Sequence, residues 1–235
     1  MVIDSEKHYP AAFQDYLQTL TDLIRRYPDA RILELGGGRL PSFKLDQLPS
    51  NIASYTVNDI DPAELAMTSD EYDKACFDVV GDVSQFTGQF DVIFSRTLIE
   101  HVNDGVKMHE NVASLLKPGG VAFHLAPTLY SPPFVLNKML PERLSQKLLY
   151  TFFPKRGAQK DKFPAYYSWC FGNRAKMTTM LLKAGFADAT IRSFYGHDYF
   201  RKIPIVRQID HFFSTLAARR DWSTFGSYAH IIARK

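Results

Sequence analysis

Ten residues constrain this chain more than any others: Arg31-Ile32-Leu33-Glu34-Leu35-Gly36-Gly37-Gly38-Arg39-Leu40. A short apolar run of this kind reads as a strand buried on both faces, as in a parallel sheet. Three glycines then mark the turn at the strand's carboxyl end. Glycine suits a backbone that takes unusual φ values and approaches a ligand closely. In open α/β sheets the carboxyl end of such a strand is where ligands bind. The dinucleotide pattern G-x-G-x-x-G fits Gly36 and Gly38 but meets Pro41 at its third position.

The rest of the chain supplies the alternation that a parallel sheet needs. The segment 10–27 carries Phe13, Leu17, Leu20 and Ile24 at helical spacing and ends at Tyr27-Pro28. A short helical stretch is expected over 41–48, and a second strand over 55–58. Asp61-Pro62 then follows as N-cap and first helical residue. Strands are expected at 76–80, 90–95 and 121–125. A helix at 104–117 precedes the last of these, stopped by Lys117-Pro118-Gly119-Gly120. Beyond 127 the rhythm breaks into a long stretch rich in proline and aromatics, with a helical piece over about 134–153. It resumes with a helix at 173–183, a strand at 189–195, a helix at 204–220 (Ile205, Ile209, Phe212, Phe213, Leu216) and a strand at 228–233. The order predicts a doubly wound, mostly parallel seven-stranded α/β sheet with a C-terminal antiparallel strand. One domain, residues 1–235, holds it, with 127–170 inserted as a lid over the acceptor.

Glu34, Gly36 and Gly38 resemble the acid-x-G-x-G-x-G first motif of class I S-adenosylmethionine-dependent methyltransferases, with Leu40 in place of the last glycine. Four further pieces match that family in order. Asp59 ends the second strand, and Gly81-Asp82-Val83 follows the third. Leu98-Ile99-Glu100-His101-Val102 and Leu115-Leu116-Lys117-Pro118-Gly119-Gly120 resemble the LEHV and LLKPGG segments of its small-molecule branch. The resemblance implies S-adenosylmethionine as cofactor, contacted by Glu34, Gly36, Gly37, Gly38, Asp59, Ile60, Asp82, Val83 and Ser95. It also implies a methyl acceptor that is a small molecule or is linked to a lipid or glycan. A hydroxyl acceptor needs a base, for which His101 and His124 are candidates. An orienting or core histidine is the plainer reading of each. Tyr130, Tyr166, Tyr167 and Trp169 are the candidate acceptor contacts, and rings that merely pack the insertion are the competing reading.

Other residues read as structural. Asp61 caps a helix, Asp91 sits at the strand entry away from the ligand end, and His197-Asp198 form either a pocket rim or a solvated turn. Metal is not expected, because Thr97 stands where an RNA-end methyltransferase of the Glu-x-x-Glu-His type has its first glutamate. Cys76 and Cys170 lie in no ligand pattern and read as buried free thiols. The net charge of +3 does not call for nucleic acid. The cations Lys138, Arg143, Lys147, Lys155, Arg156, Lys160 and Lys162 suggest peripheral membrane contact by the insertion, against a solvated face as the plainer reading. With no apolar leader or span, a cytoplasmic location is expected. A nucleic-acid methyltransferase and a non-catalytic cofactor-binding module remain as rival functions.

Overall fold

The structure, a computed structural model, describes residues 3–139 and 164–235. Seven strands form one sheet: β1 (Ala30–Leu35), β2 (Ile52–Asp59), β3 (Asp73–Cys76), β4 (Phe90–Arg96), β5 (Leu116–Pro127), β6 (Asp188–Phe194) and β7 (Tyr228–Arg234). Their spatial order is β3-β2-β1-β4-β5-β7-β6. The first five pair in parallel, and β7 runs antiparallel between β5 and β6. The chain leaves β1 toward β2 on one side and returns to β4 on the other. The carboxyl ends of β1 and β4 therefore flank a topological switch point, where open α/β sheets bind ligands.

Period-two burial splits the central strands between two cores. Ile32, Val92, Phe94 and Phe123 face α1 (Tyr9–Gln14) and α2 (Tyr16–Ile24), meeting Ala12, Tyr16, Leu20 and Ile24. Leu33, Leu35, Ile93 and Ala122 face α4 (Gly105–Leu115) and α6 (Arg174–Lys183), meeting Met108, Val112, Met177 and Leu181. Caps set several helix starts. Asp61 Oδ1 accepts from Ala63 N at 2.8 Å to open α3 (Pro62–Ala66), and Asp104 and Asn173 do the same for α4 and α6. Asp91 is structural as expected, accepting from Arg31 N at 2.8 Å and Lys117 Nζ at 2.7 Å.

The expected helix at 10–27 is two helices, because His230 Nε2–H donates to the Ala12 carbonyl at 2.7 Å and takes it from the helical ladder. Phe13 and Leu17 are exposed, whereas Leu20 and Ile24 are buried. The stretch 41–48 holds only a 3₁₀ turn, Leu45–Gln47. The third strand ends at Cys76 rather than running over 76–80. Side-chain amides take carbonyls at and beyond its end: Asn58 Nδ2 donates to Ala75 O and Phe77 O, and Asn111 Nδ2 to Val79 O and Gly81 O. Cys170 is buried, but Cys76 is exposed at the sheet's edge strand.

The stretch expected as an insertion begins with the helix α5 (Pro132–Met139), and from 164 its backbone bonds to Glu100 and Leu129. Residues 140–163 lie outside the described residues, and with them most of the expected helical piece, the cations from Arg143 to Lys162, and the body of the expected lid. The last helix, α7 (Pro204–Arg219), buries Ser214, Thr215, Ala217 and Ala218, while Ile205, Ile209 and Phe212 face outward. Periodicity located this helix, but its small-residue face is the one that packs. Among the described residues no helix is long and apolar enough to cross a bilayer.

Candidate active site

The glycine turn is shaped by its neighbours. Gly36 and Gly38 take φ of +68° and +44°, in the left-handed region. A Cβ on Gly36 would lie 2.8 Å from Leu98 Cδ1, one on Gly37 2.8 Å from Val57 Cγ1, and one on Gly38 2.8 Å from Asp59 Oδ2. Gly37 N donates to Asn58 O at 2.9 Å, tying the turn to β2. The bare backbone at Gly38 thus lies against the carboxylate that ends β2. Arg39 clamps the far side of the turn with two hydrogen bonds to Glu64 of α3, at 2.7 and 2.5 Å.

Glu34 is buried beneath this turn. Its oxygens accept from Ser42 N at 2.9 Å, from Ser42 Oγ at 2.5 Å and from the Tyr55 hydroxyl. Burial pushes its carboxyl up, and the Ser42 and Tyr55 hydrogen bonds oppose that. Both oxygens are therefore committed to holding the 39–42 loop and β2. Asp59 is half-buried, with Oδ1 accepting from Asp61 N at 3.0 Å. Burial raises its pKa, and its backbone hydrogen bond opposes the shift. Beside it Ile60 is exposed.

The other expected cofactor contacts are spread more widely. Asp82 is exposed and accepts from Ser84 N at 2.9 Å, which holds its carboxyl below the usual range. Val83 is buried in the core beside Phe86 and Phe90. The acid nearest the carboxyl end of β3 is Asp78, two residues past Cys76, which pairs with Asp59 in register. The sequence reading passed over Asp78 because it placed that residue inside the strand. A strand ending at Cys76 puts an Asp-Val pair, Asp78-Val79, on the turn at the sheet's edge. Ser95 is buried near the end of β4, its Oγ 2.8 Å from His124 Nδ1.

His124 lies wholly inside the core on the α4 face, edge-on to His109 with ring centroids 5.5 Å apart. Burial, and then the neighbouring His109, hold its pKa well below the usual imidazole value, so it stays neutral. Burial likewise takes His109 to about 4. His101 instead sits in the 3₁₀ turn Ile99–His101 just past β4, and its side chain retains partial exposure. Its Nδ1 is 2.9 Å from the Pro164 carbonyl, which can only accept, so Nδ1 carries a proton.

Glu100 is the residue that motif matching undervalued. Its side chain is buried, and its Oε2 has no hydrogen-bond partner among the described residues. Its Oε1 is 3.8 Å from His101 Nε2. Burial pushes its carboxyl up to about 8. Its backbone carbonyl accepts from Tyr166 N at 2.7 Å and Tyr167 N at 3.0 Å, docking the end of the insertion onto the LEHV turn. Thr97, which starts this turn, takes φ of +53°, and Tyr167 and Trp169 opposite take +49° and +52°. Non-glycine residues enter that region rarely, and such strain concentrates at functional sites.

The four candidate rings divide. Tyr130 is exposed and stacks on Phe171, with centroids 5.6 Å apart. Tyr166 is exposed, whereas Tyr167 is buried against Phe134. Trp169 packs edge-on to Phe171, with Lys176 Nζ 5.2 Å from its ring, on the side of α4 and α6. Cys170 Sγ–H donates to the Pro127 carbonyl at 2.6 Å, fixing this strap to the end of β5. His197 resolves as structural. Tyr199 N donates to its Nδ1 at 3.2 Å, and its Nε2 is 3.0 Å from Asp210 Oδ1.

Residues 33–124 match the family model described as a methyltransferase domain, and the sheet order, the glycine turn and the carboxylate that ends β2 accord with that match. Among curated proteins, the hybrid PKS-NRPS synthetase apdA of Emericella nidulans is 31% identical over 121 residues, covering 46% of this chain and 3% of that protein. Among solved structures, an S-adenosylmethionine-dependent methyltransferase from Mesorhizobium loti has a TM-score of 0.58 at 15% identity, covering 95% of this chain and 98% of that one. The trans-methyltransferase CalH, solved with SAH, has a TM-score of 0.57 at 18% identity, over 92% of this chain and 54% of that one. The chain thus spans about half of CalH and a small part of the synthetase. At these identities the structural likeness is one of fold.

Proposed function

We propose that this protein moves the methyl group of S-adenosylmethionine to a hydroxyl or similar nucleophile on a small-molecule, lipid-linked or glycan-linked acceptor. The observation that carries this is the meeting of two groups of residues at one switch point. On one side are Gly36–Gly38 and Asp59, and on the other the Leu98–His101 turn with the strap from 164. The site fits the cofactor, because a Cβ at Gly38 would fill the space beside Asp59 Oδ2 where a ligand must approach backbone. Asp59 accepts from the ribose hydroxyls, Ile60 offers an apolar face to the adenine, and the Asp78-Val79 turn supplies the acid and amide for the adenine edge. In this proposal Asp82 and Val83 support that turn, Glu34 holds the loop, and Ser95, held by His124, backs the cofactor from β4.

When bound, the cofactor supplies an activated methyl on a sulfonium. The chain's own part is to hold the acceptor in line and exclude water, which is where most of the rate comes from when the cofactor is already reactive. His101 donates from Nδ1 to the Pro164 carbonyl, which fixes the ring beside the Leu98–His101 turn as the candidate base for the acceptor's proton. The buried Glu100 carboxyl, raised to about 8, lies 3.8 Å away as a protonated neighbour that orients the imidazole rather than as a second base. Tyr130 and Tyr166 present exposed rings to the acceptor.

The test is a transfer screen with methyl-labelled S-adenosylmethionine against sugars, lipid-linked glycans, quinols and small acids. Label in one of these acceptors is expected. Cofactor binding with label in none of them, and in RNA instead, would overturn the acceptor class.

A further inference from the structure

Helix α7 presents its apolar stripe to solvent. Ile205, Ile209 and Phe212, at i, i+4 and i+7, are 73%, 65% and 59% exposed, and Val206 beside them is exposed as well. The first six residues of the helix, 204–209, are exposed on every side, so its N-terminal half projects from the body. Its C-terminal half is anchored by Ser214, Thr215, Ala217 and Ala218, the last two clustering with Ile3 and Tyr195. Exposed aliphatic and aromatic side chains grouped on one projecting element mark a surface that meets something apolar.

The charges around the stripe select among occupants. Arg201, Lys202 and Arg207 are exposed around the projecting half, and Arg219 and Arg220 at the other end. The helix contains a single acid, Asp210, and it is turned inward to His197 at 3.0 Å. The exposed acids nearest its two ends, Asp198 and Asp221, are held by the Tyr9 hydroxyl and by Arg174. An apolar stripe bordered mainly by cations matches the face that an interfacial helix presents to an anionic bilayer, its apolar side chains entering the headgroup boundary. A protein partner's interface core is instead poor in charge of either sign.

Position gives the stripe a use. Helix α7 follows β6 through the loop 195–203, which leaves the sheet at the edge where β5 ends, since Tyr228 of β7 pairs with both Pro127 and Phe194. Tyr199 of that loop meets Phe134 of α5 with centroids 5.7 Å apart. The projecting half-helix therefore starts from the same rim as the LEHV turn and the strap.

We infer that α7 is a membrane-docking helix that lays Ile205, Ile209 and Phe212 into an anionic lipid surface and turns the acceptor edge toward it. The docking stands independently of methyl transfer. Only its corollary, that the acceptor is an amphiphile carried in that surface, rests on the proposed function.

The test is cosedimentation of the full chain with phosphatidylcholine vesicles, with and without phosphatidylglycerol, at low and high salt. The expected result is binding to the anionic vesicles only, weakened by salt. Ile209→Ser with Phe212→Ser should weaken it at least tenfold. Arg201→Glu with Arg207→Glu should weaken it by roughly fivefold or more per cation removed. Thermal unfolding of both variants should match the parent, because these side chains are exposed. Absence of parent binding to anionic vesicles would overturn the inference. So would equal binding by the Ile209→Ser, Phe212→Ser variant, which would put the contact in the basic 138–162 stretch. A parent dimer in solution that this variant dissociates, with no vesicle binding, would assign the face to a second copy.

Discussion

Glu100 makes the sharpest prediction about how the site is built. Its carboxyl is raised from 4.5 to about 8 because the side chain is buried, with Oε2 unpartnered among the described residues. In the folded protein it is therefore neutral below about pH 8, whereas in the unfolded chain it ionises above the ordinary carboxylate value. Between those limits the unfolded state binds fewer protons, so stability falls as pH rises through the window. At about 1.4 kcal/mol per unit, the whole window is worth on the order of 5 kcal/mol, and the part below pH 7 about 3 kcal/mol. Glu100→Gln keeps the shape and cannot ionise. Urea unfolding of parent and variant should give nearly equal stabilities at pH 5. The gap should widen through pH 7 in the variant's favour and level off above pH 8. Glu34 is also raised by burial and slopes the same way, but it is common to both proteins and cancels. A parent-to-variant difference that stays constant from pH 5 to pH 9 would refute the buried, unpartnered carboxyl.

Two further predictions separate packing from acceptor contact. Tyr167→Ala empties a buried position against Phe134 and should cost about 3–5 kcal/mol in unfolding experiments. Tyr166→Ala, at an exposed ring, should leave stability within about 0.5 kcal/mol of the parent and lower turnover on the true acceptor with cofactor affinity unchanged. Gly105→Ala places a Cβ 2.2 Å from the Ser168 carbonyl, a backbone atom that must move. It should cost about 1–3 kcal/mol, seen as a drop of about 2–4 °C in melting temperature for each kcal/mol.

Residues whose neighbours are close in sequence could be read directly. The glycine turn and the Asp61-Pro62 helix start depend on local φ preferences and caps, and they appear where those preferences put them, whereas the helix expected to stop at Lys117-Gly120 ends at Leu115 and those residues open β5. Features decided by distant side chains could not be read. The break near Asp15 depends on His230, more than two hundred residues away, and the end of β3 depends on amides from Asn58 and Asn111. Periodicity fixed the span of α7 but not which face packs, because its small residues fit the body and its large ones do not. Glu34 carried the right motif, but only the structure shows Ser42 and Tyr55 occupying its oxygens. Glu100 stood inside a matched motif without distinction, since burial is what sets it apart.

The most direct measurement is calorimetric titration of S-adenosylmethionine into the full chain and into Asp59→Ala. The parent should bind one equivalent. Asp59→Ala, folded as judged by its unfolding transition, should bind at least tenfold more weakly, because it loses two hydrogen bonds to a charged acceptor worth roughly 1.5–3 kcal/mol each. No binding by the parent, or the same affinity in Asp59→Ala, would contradict a cofactor site built on the glycine turn and the carboxylate that ends β2.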